Sequence, residues 1–367
     1  ADWRNKQQYS AVVEETDCPG RLFATVNLMD EDAAMIRFGL LGAGRIGRMH
    51  ANNLAGSEKA ELLWVYDVDQ TVSTKVANLN SARSTDSIET IFQDPDVDAI
   101  LIATPTNTHA DLIVQSAKAG KAILCEKPID LNIEKVDWCR EQLRNIDVPI
   151  QIGFNRRFDP SHRKLVQAVH EGEIGQLEQV VITSRDPGPP PKEYYLVAGG
   201  MLRDMTIHDF DLARFVLNEE VSRVSALSST LFDPVAEEIG EIDSAMILMQ
   251  TQSGKLCHIN NSRHATYGYD QRLEAHGSEG MMRSENHQQT SVERFNKNGS
   301  AWKDPLTFAF SERYRQAFVD QLDSFINAVE TNQKTPVTFD DGRRALILAN
   351  AAYKSLSSGQ TVEVDYG

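Results

Sequence analysis

The chain has 367 residues, 53 acidic against 37 basic, for a net charge of −16; that is long enough for two domains with cores of their own. The acidic balance argues against nucleic acid or an anionic membrane as partner, because affinity for phosphate backbones rests on Lys and Arg. No apolar run approaches the ~20 residues that a membrane helix needs.

Residues 1–34 are polar, begin without methionine and show only weak periodicity as far as Asp30-Glu31-Asp32. No charged segment followed by an apolar one marks a secretory signal. Met35 directly precedes the first apolar run, so 1–34 reads as an extension of unknown role and Met35 as a candidate native start. Cys18, Cys125, Cys139 and Cys257 form neither a CxxC pair nor a metal-ligand spacing, which fits reduced thiols in a cytoplasmic protein with no metal site.

From 35 to 150 the pattern predicts alternating strands and helices. Strands fall at 36–41, 61–66, 98–103 and 121–125, with a weak one near 82–85; helices fall near 45–56, 69–79, 87–92 and 108–119. That alternation implies a doubly wound parallel sheet, with ligands at the carboxyl ends of its strands. The first strand runs into GAGRIG at 42–47. Gly42 permits a tight turn, Gly44 lets backbone approach a pyrophosphate, and Gly47 lets the next helix pack against the sheet. The N–H groups of the helix start, at Arg45 and Ile46, then face the anion. Asp67 ends the second apolar run twenty residues after Gly47, where a carboxylate accepts from an adenosine ribose. A carboxylate there repels a 2′-phosphate, so NAD is expected over NADP. Arg45 could stack on adenine or meet a phosphate. Thr104, Pro105, Asn107 and His109, and then Glu126 and Lys127, lie just past strand ends and are expected to face the nicotinamide half.

After a helix near 132–146, strands at 150–154, 176–185, 221–232, 242–252, 255–264 and 271–276 follow one another with few helices between them. Residues 151–367 therefore predict an α+β domain with a large open, mainly antiparallel sheet, one face covered by helices. Helices near 311–330 and 340–357 close the chain, and Pro187 to Pro191 reads as a rigid loop. In RDMTIHDFD, Asp204 and His208 stand four apart on an expected helix, on one face, where a carboxylate can orient an imidazole and raise its basicity. To oxidise a secondary alcohol, NAD takes the hydride while His208 takes the proton, with Asp204 stabilising the imidazolium. A cationic Lys127 would stabilise the alkoxide-like oxygen. His258 and His264 read as strand residues.

Seven strings carry a resemblance: FGLLGAGRIG (38–47), ATPTNTHADLI (103–113), EKPIDL (126–131), GFNRRFDP (153–160), SRDPG (184–188), GGMLRDMTIHDFDLARF (199–215) and SRHATYGYDQRLEAHGSEG (262–280). Over 36–365 the chain resembles the Gfo/Idh/MocA family of two-domain oxidoreductases, and within it the bacterial inositol 2-dehydrogenases. The resemblance implies NAD as cofactor, Lys127, Asp204 and His208 as the catalytic set, and a cyclitol such as myo-inositol as substrate. It also implies polyol contacts from Arg156, Asp186 and Tyr267, and a second sheet that serves as substrate wall and homotetramer interface. Two alternatives stay open: scyllo-inositol or an aldopyranose as substrate, or a non-catalytic regulator that binds a dinucleotide and a sugar.

Overall fold

A computed structural model describes residues 35–367; the expectations for residues 1–34, including Cys18, lie outside the described residues. The first half runs β1 (Ile36–Leu41), α1 (Arg45–Ala55), β2 (Ala60–Tyr66), α2 (Gln70–Leu79), β3 (Arg83–Thr85), α3 (Ile88–Gln93), β4 (Ala99–Ile102), α4 (His109–Lys118), β5 (Ala122–Cys125), α5 (Ile133–Leu143) and β6 (Ile150–Ile152). These six strands form one parallel sheet in the order β3-β2-β1-β4-β5-β6. Strands β4 and β5 are buried at every position, as a parallel sheet covered on both faces requires. The order reverses beside β1, and that switch point opens a crevice at the carboxyl ends of β1 and β4.

One strand differs from the sequence reading. Residues 150–152 do not open the second sheet; they pair in parallel with Ile123–Cys125 of β5 and close the first. A strand of three residues, Ile-Gln-Ile, is too short for its period to tell one sheet from another, so only the pairing decides which it joins.

The second half runs α6 (Pro160–His170), β7 (Leu177–Arg185), α7 (Lys192–Ala198), α8 (Met201–Asp204), α9 (Ile207–Leu217), β8 (Val221–Ser229), α10 (Pro234–Ile239), β9 (Ser244–Thr251), β10 (Leu256–Ser262), β11 (Asp270–Gly277) and β12 (Gly280–Ser284). A small hairpin of β13 (Glu293–Asn296) and β14 (Gly299–Lys303) follows, then α11 (Phe310–Arg313), α12 (Arg315–Thr331), α13 (Phe339–Ser358) and β15 (Val362–Glu363). The seven-stranded sheet has the order β12-β11-β7-β10-β9-β8-β15, and its one parallel pair among the described strands is β7 with β10.

Strand β9 shows the period-two alternation of a half-covered sheet. Ala245, Ile247 and Met249 turn inward onto a core shared with Val216 of α9 and Leu348 of α13, while Met246 and Leu248 point out. Helix α13 starts on a capping box, in which Thr338 and Asp341 satisfy each other's backbone donors. Helix α12 crosses back to the first sheet, where Leu322, Phe325 and Ile326 pack with Phe38 and Leu40 of β1. Among the described residues no helix is long and apolar enough to cross a membrane.

Candidate active site

Each glycine of 42–47 has a distinct steric role. Gly42 sits at φ +92°, and a Cβ there would meet the Ala103 carbonyl oxygen at 2.5 Å. A Cβ on Gly47 would lie 1.9 Å from the Gly42 carbonyl oxygen, so α1 is seated directly on the turn. Gly44 has open space around it, which leaves its backbone free to meet a phosphate. Asp67 braces this loop: its Oδ2 accepts from the Ala43 N–H at 2.7 Å, and its Oδ1 accepts from the Asp69 N–H at 3.0 Å. Each oxygen keeps a lone pair for a ribose hydroxyl, so the cradle and the carboxylate fit a dinucleotide with a free 2′-hydroxyl. Arg45 is exposed at the start of α1, next to the half-buried Ile46, and its guanidinium lies 5.0 Å from the centre of the Phe310 ring. A stacking surface therefore exists for it within the protein.

Beyond β4, the segment carrying Thr104, Pro105 and Asn107 makes a short turn, with the Thr104 and Thr108 hydroxyls 2.7 Å apart and Asn107 exposed. His109 departs from the sequence expectation. It is buried, its Nδ1 is 2.8 Å from the Pro128 carbonyl oxygen, and its Nε2 is 2.8 Å from that of Thr104. Both ring nitrogens are used inside the protein, so His109 joins two strand-end loops instead of facing the crevice. Glu126 accepts from the buried His50 of α1 at 2.8 Å, which links the phosphate helix to the segment after β5. The Lys127–Pro128 peptide is cis.

Lys127 leaves the first sheet and meets the second half of the molecule. Its Nζ donates to the Asp204 carbonyl oxygen at 2.7 Å and to Asp204 Oδ1 at 3.2 Å. This bond sits at a local departure from the sequence reading, which placed Asp204 and His208 on one continuous helix. The helix breaks between α8 and α9, and the His208 N–H bonds to the Met205 carbonyl, while the Asp204 carbonyl accepts from Lys127. Thr206, at the break, donates to Asn261 Oδ1 of β10 at 2.6 Å. As a result the expected carboxylate–imidazole pair does not form. The Asp204 carboxylate accepts from Lys127, from the Tyr194 hydroxyl at 2.8 Å and from Arg263 at 3.1 Å, and not from His208. Those donors hold Asp204 below the usual carboxylate range despite its burial.

His208 is half-buried and packs edge-on against Phe154, ring centres 5.8 Å apart. Its Nδ1 is buried with no hydrogen-bond partner, which leaves Nε2 as the nitrogen to meet a ligand. Burial first, then the charges of Lys127 and Arg156, push His208 well below the ordinary histidine value, so the imidazole is neutral at neutral pH.

Arg156 is buried; its Nη1 donates to Ser184 Oγ at 2.8 Å and pairs with Asp209. Its Nε and Nη2 make no hydrogen bond to a described residue. Asp186 keeps 21% of its side-chain surface exposed, and burial raises it to about 6, opposed by Arg263 3.8 Å away. Tyr267 stands apart from this group. Its hydroxyl donates to Asp270 at 2.6 Å and accepts from Arg185 at 3.0 Å, away from Asp204 and His208. The tyrosine beside Arg156 and Asp186 is Tyr269, whose value is pushed well above the ordinary one by burial, with Asp186 adding to the rise and Arg156 opposing it. Gly268, at φ +119°, lies between the two tyrosines and lets the chain turn there. Sequence reasoning also missed Tyr194, Arg263 and Tyr314, the last 6.1 Å from the Tyr269 ring centre. The YGYD string was the available signal for Tyr269; no local pattern marks the others.

The crevice therefore joins a glycine turn with open backbone, the Asp67 carboxylate, an ammonium held by a carboxylate, and a neutral imidazole, an arrangement suited to holding a dinucleotide and moving a proton from a hydroxyl beside it. Known proteins agree. Residues 36–154 match the model of an oxidoreductase family with an NAD-binding Rossmann fold, and 162–283 match the GFO/IDH/MocA C-terminal domain. The chain is 44% identical to an inositol 2-dehydrogenase of Rhizobium meliloti strain 1021 over 90% of its own length and 99% of that protein's. A myo-inositol dehydrogenase of Corynebacterium glutamicum superposes with a TM-score of 0.88 at 41% identity, covering 90% of this chain and 99% of that one. A scyllo-inositol dehydrogenase of Lactobacillus casei, solved with NAD(H) and scyllo-inositol, gives a TM-score of 0.83 at 29% identity, with 90% and 99% covered. The chain belongs to the Gfo/Idh/MocA family of NAD-dependent oxidoreductases.

Proposed function

We propose that this protein oxidises one ring hydroxyl of myo-inositol, or of a close cyclitol, to the ketone with NAD. The observation that carries this reading is the meeting of Lys127 and Asp204 across the two halves, beside the unpaired imidazole of His208. NAD, when bound, supplies the hydride acceptor; Gly42, Gly44, Arg45, Ile46, Gly47 and Asp67 hold its adenosine and pyrophosphate, and Thr104, Pro105, Asn107, Glu126 and Lys127 border its other end.

Lys127 has three N–H bonds. Two are spent on Asp204, and the third is left to donate to the reacting oxygen. Because Asp204 fixes the ammonium, that donor is pre-oriented where negative charge develops. His208, held neutral, accepts the hydroxyl proton at Nε2. Phe154, not a carboxylate, sets the plane of the ring. Arg156, Asp186 and Tyr269 offer donors and an acceptor to the other hydroxyls of a polyol. A stereoisomer that leaves one of them unpaired costs about 1–3 kcal/mol.

The scyllo epimer is the second reading, favoured by the Lactobacillus casei relative that binds it. Self-association as a homotetramer is supported by the apolar side chains Leu227, Met246, Leu248 and Leu256 exposed on the second sheet. A cytoplasmic setting fits the free, buried thiols of Cys125, Cys139 and Cys257.

The test is to mix the protein with NAD and a panel of cyclitols and aldopyranoses and follow the absorbance of reduced nicotinamide. The highest kcat/KM is expected with myo-inositol. A higher value with scyllo-inositol or glucose would reassign the substrate, and no turnover with any member would favour a binding protein.

A further inference from the structure

Arg263 lies directly after β10 and points into the site from the opposite wall. Its side chain is 3% exposed, and its backbone N–H is fixed on the Asp243 carbonyl at 2.9 Å. Its two terminal nitrogens divide between two carboxylates: Nη2 donates to Asp204 Oδ2 at 3.1 Å, and Nη1 stands 3.8 Å from Asp186 Oδ2. The guanidinium rests 5.3 Å from the centre of the Tyr195 ring, and its Nε is buried without a partner. A buried guanidinium needs a carboxylate, but one would serve. Here it spans two, and both belong to the site.

The carboxylates have different duties. Asp204 Oδ1 serves Lys127 and Tyr194, so Arg263 on Oδ2 is what fixes the plane of the group. Asp186 has no direct hydrogen bond to its carboxylate from a described residue and remains open to a ligand. Four charges act on it: Arg263 after β10 and Arg156 before α6 favour its ionised form, while Asp204 of α8 and Asp209 of α9 oppose it.

We propose that Arg263 is a positioning residue that ties the substrate-side carboxylate of Asp186 to the carboxylate of Asp204. It sets the spacing between the group that meets a polyol's hydroxyls and the group that holds Lys127. The inference rests on the reading of Lys127 and Asp204 given under Proposed function. A planar fork reaches the two carboxylates through two separate nitrogens held at a fixed spacing, whereas a lysine ammonium must approach both with one nitrogen and fixes neither plane. The guanidinium therefore matters as a bridge and not only as a charge.

The experiment compares wild type, Arg263→Lys and Arg263→Gln with NAD and the cyclitol that wild type turns over best. It records kcat and KM across pH, NAD affinity by calorimetry, and the thermal melt. Arg263→Gln is expected to lower kcat/KM about 100-fold and Arg263→Lys about tenfold, both with NAD affinity within about threefold of wild type. The acid limb of kcat/KM expected from Asp186, which burial raises to about 6, should move upward in Arg263→Gln because Asp186 loses a cation that favours its ionised form. In Arg263→Lys the limb stays closer to its wild-type position. Equal kinetics in wild type and Arg263→Gln, with the limb unmoved, would overturn the inference alone. Loss of NAD binding and of a cooperative melt in both variants would also overturn it, by marking Arg263 as a residue of the fold. A wild type inert to the whole panel would overturn the functional reading, and the inference with it.

Discussion

The two walls of the crevice are built by different means. The wall from the first sheet is mostly backbone: a turn that only glycine tolerates at two places, braced by Asp67 on the Ala43 N–H. The wall from the second half is mostly side chains, brought from separate segments and tied together by charge: Asp186, Tyr194, Asp204, Arg263 and, through Asp209, Arg156. A backbone cradle binds a cofactor by shape and fails when an atom is added. A side-chain mesh tunes charge and fails when one partner is removed. Binding and chemistry should therefore be separable by mutation, wall by wall.

Gly47→Ala is the largest test of the first wall. Its Cβ would fall 1.9 Å from the Gly42 carbonyl oxygen, so α1 must shift off the turn and NAD binding should fall below detection in calorimetry. Gly44→Ala meets nothing within 4 Å and should keep a normal melt. Where the two walls meet, Lys127→Met should cost about 10²–10³ in kcat, as loss of a donor at a developing oxyanion does, measured by reduced-nicotinamide absorbance at saturating substrate.

A smaller effect is expected from Asp186. Below pH about 6 it takes a proton and stops acting purely as an acceptor, so wild-type kcat/KM should decline there. The neutral His208 does not cause this limb, since it protonates only well below the ordinary histidine value. Asp186→Asn should flatten the limb and raise KM about tenfold, equivalent to ~1.4 kcal/mol of substrate binding. The smallest effect belongs to Asp67→Ser, which removes the charge that opposes a 2′-phosphate. The preference for NAD over NADP should narrow about tenfold, and an unchanged ratio would remove Asp67 from the ribose.

The same contrast explains what the sequence revealed. GAGRIG and Asp67 are legible because the cradle is local: a strand, a turn and a helix start within about thirty residues, with the steric need written as glycine. The parallel sheet is legible from buried runs alternating with helices. The strand at Ile150–Ile152 was legible but its sheet was not, because so short a run, Ile-Gln-Ile, fits either sheet. Lys127, Asp204 and His208 stood out by type and placement, but their connectivity did not. Asp204 and Lys127 are 77 residues apart, and Asp204 and Arg263 are 59 apart, separations at which no pattern in the chain reports a contact. The four-residue spacing suggested a carboxylate–imidazole pair because it presumed an unbroken helix, and the helix breaks between Asp204 and Ile207, with the Asp204 carbonyl bonded to Lys127. Tyr267 and Tyr269 flank Gly268 in one short string, and only the fold shows that Tyr267 is spent on Arg185 and Asp270 while Tyr269 is buried near Arg156 and Asp186.

The central claim is that binding resides in the backbone wall and proton transfer in the side-chain wall. It is tested most directly by measuring NAD affinity and turnover together in His208→Gln. The account predicts a dissociation constant for NAD within about threefold of wild type and a kcat lower by about 10²–10⁴, the range for removing a general base. A kcat equal to that of wild type with the same NAD affinity would contradict it.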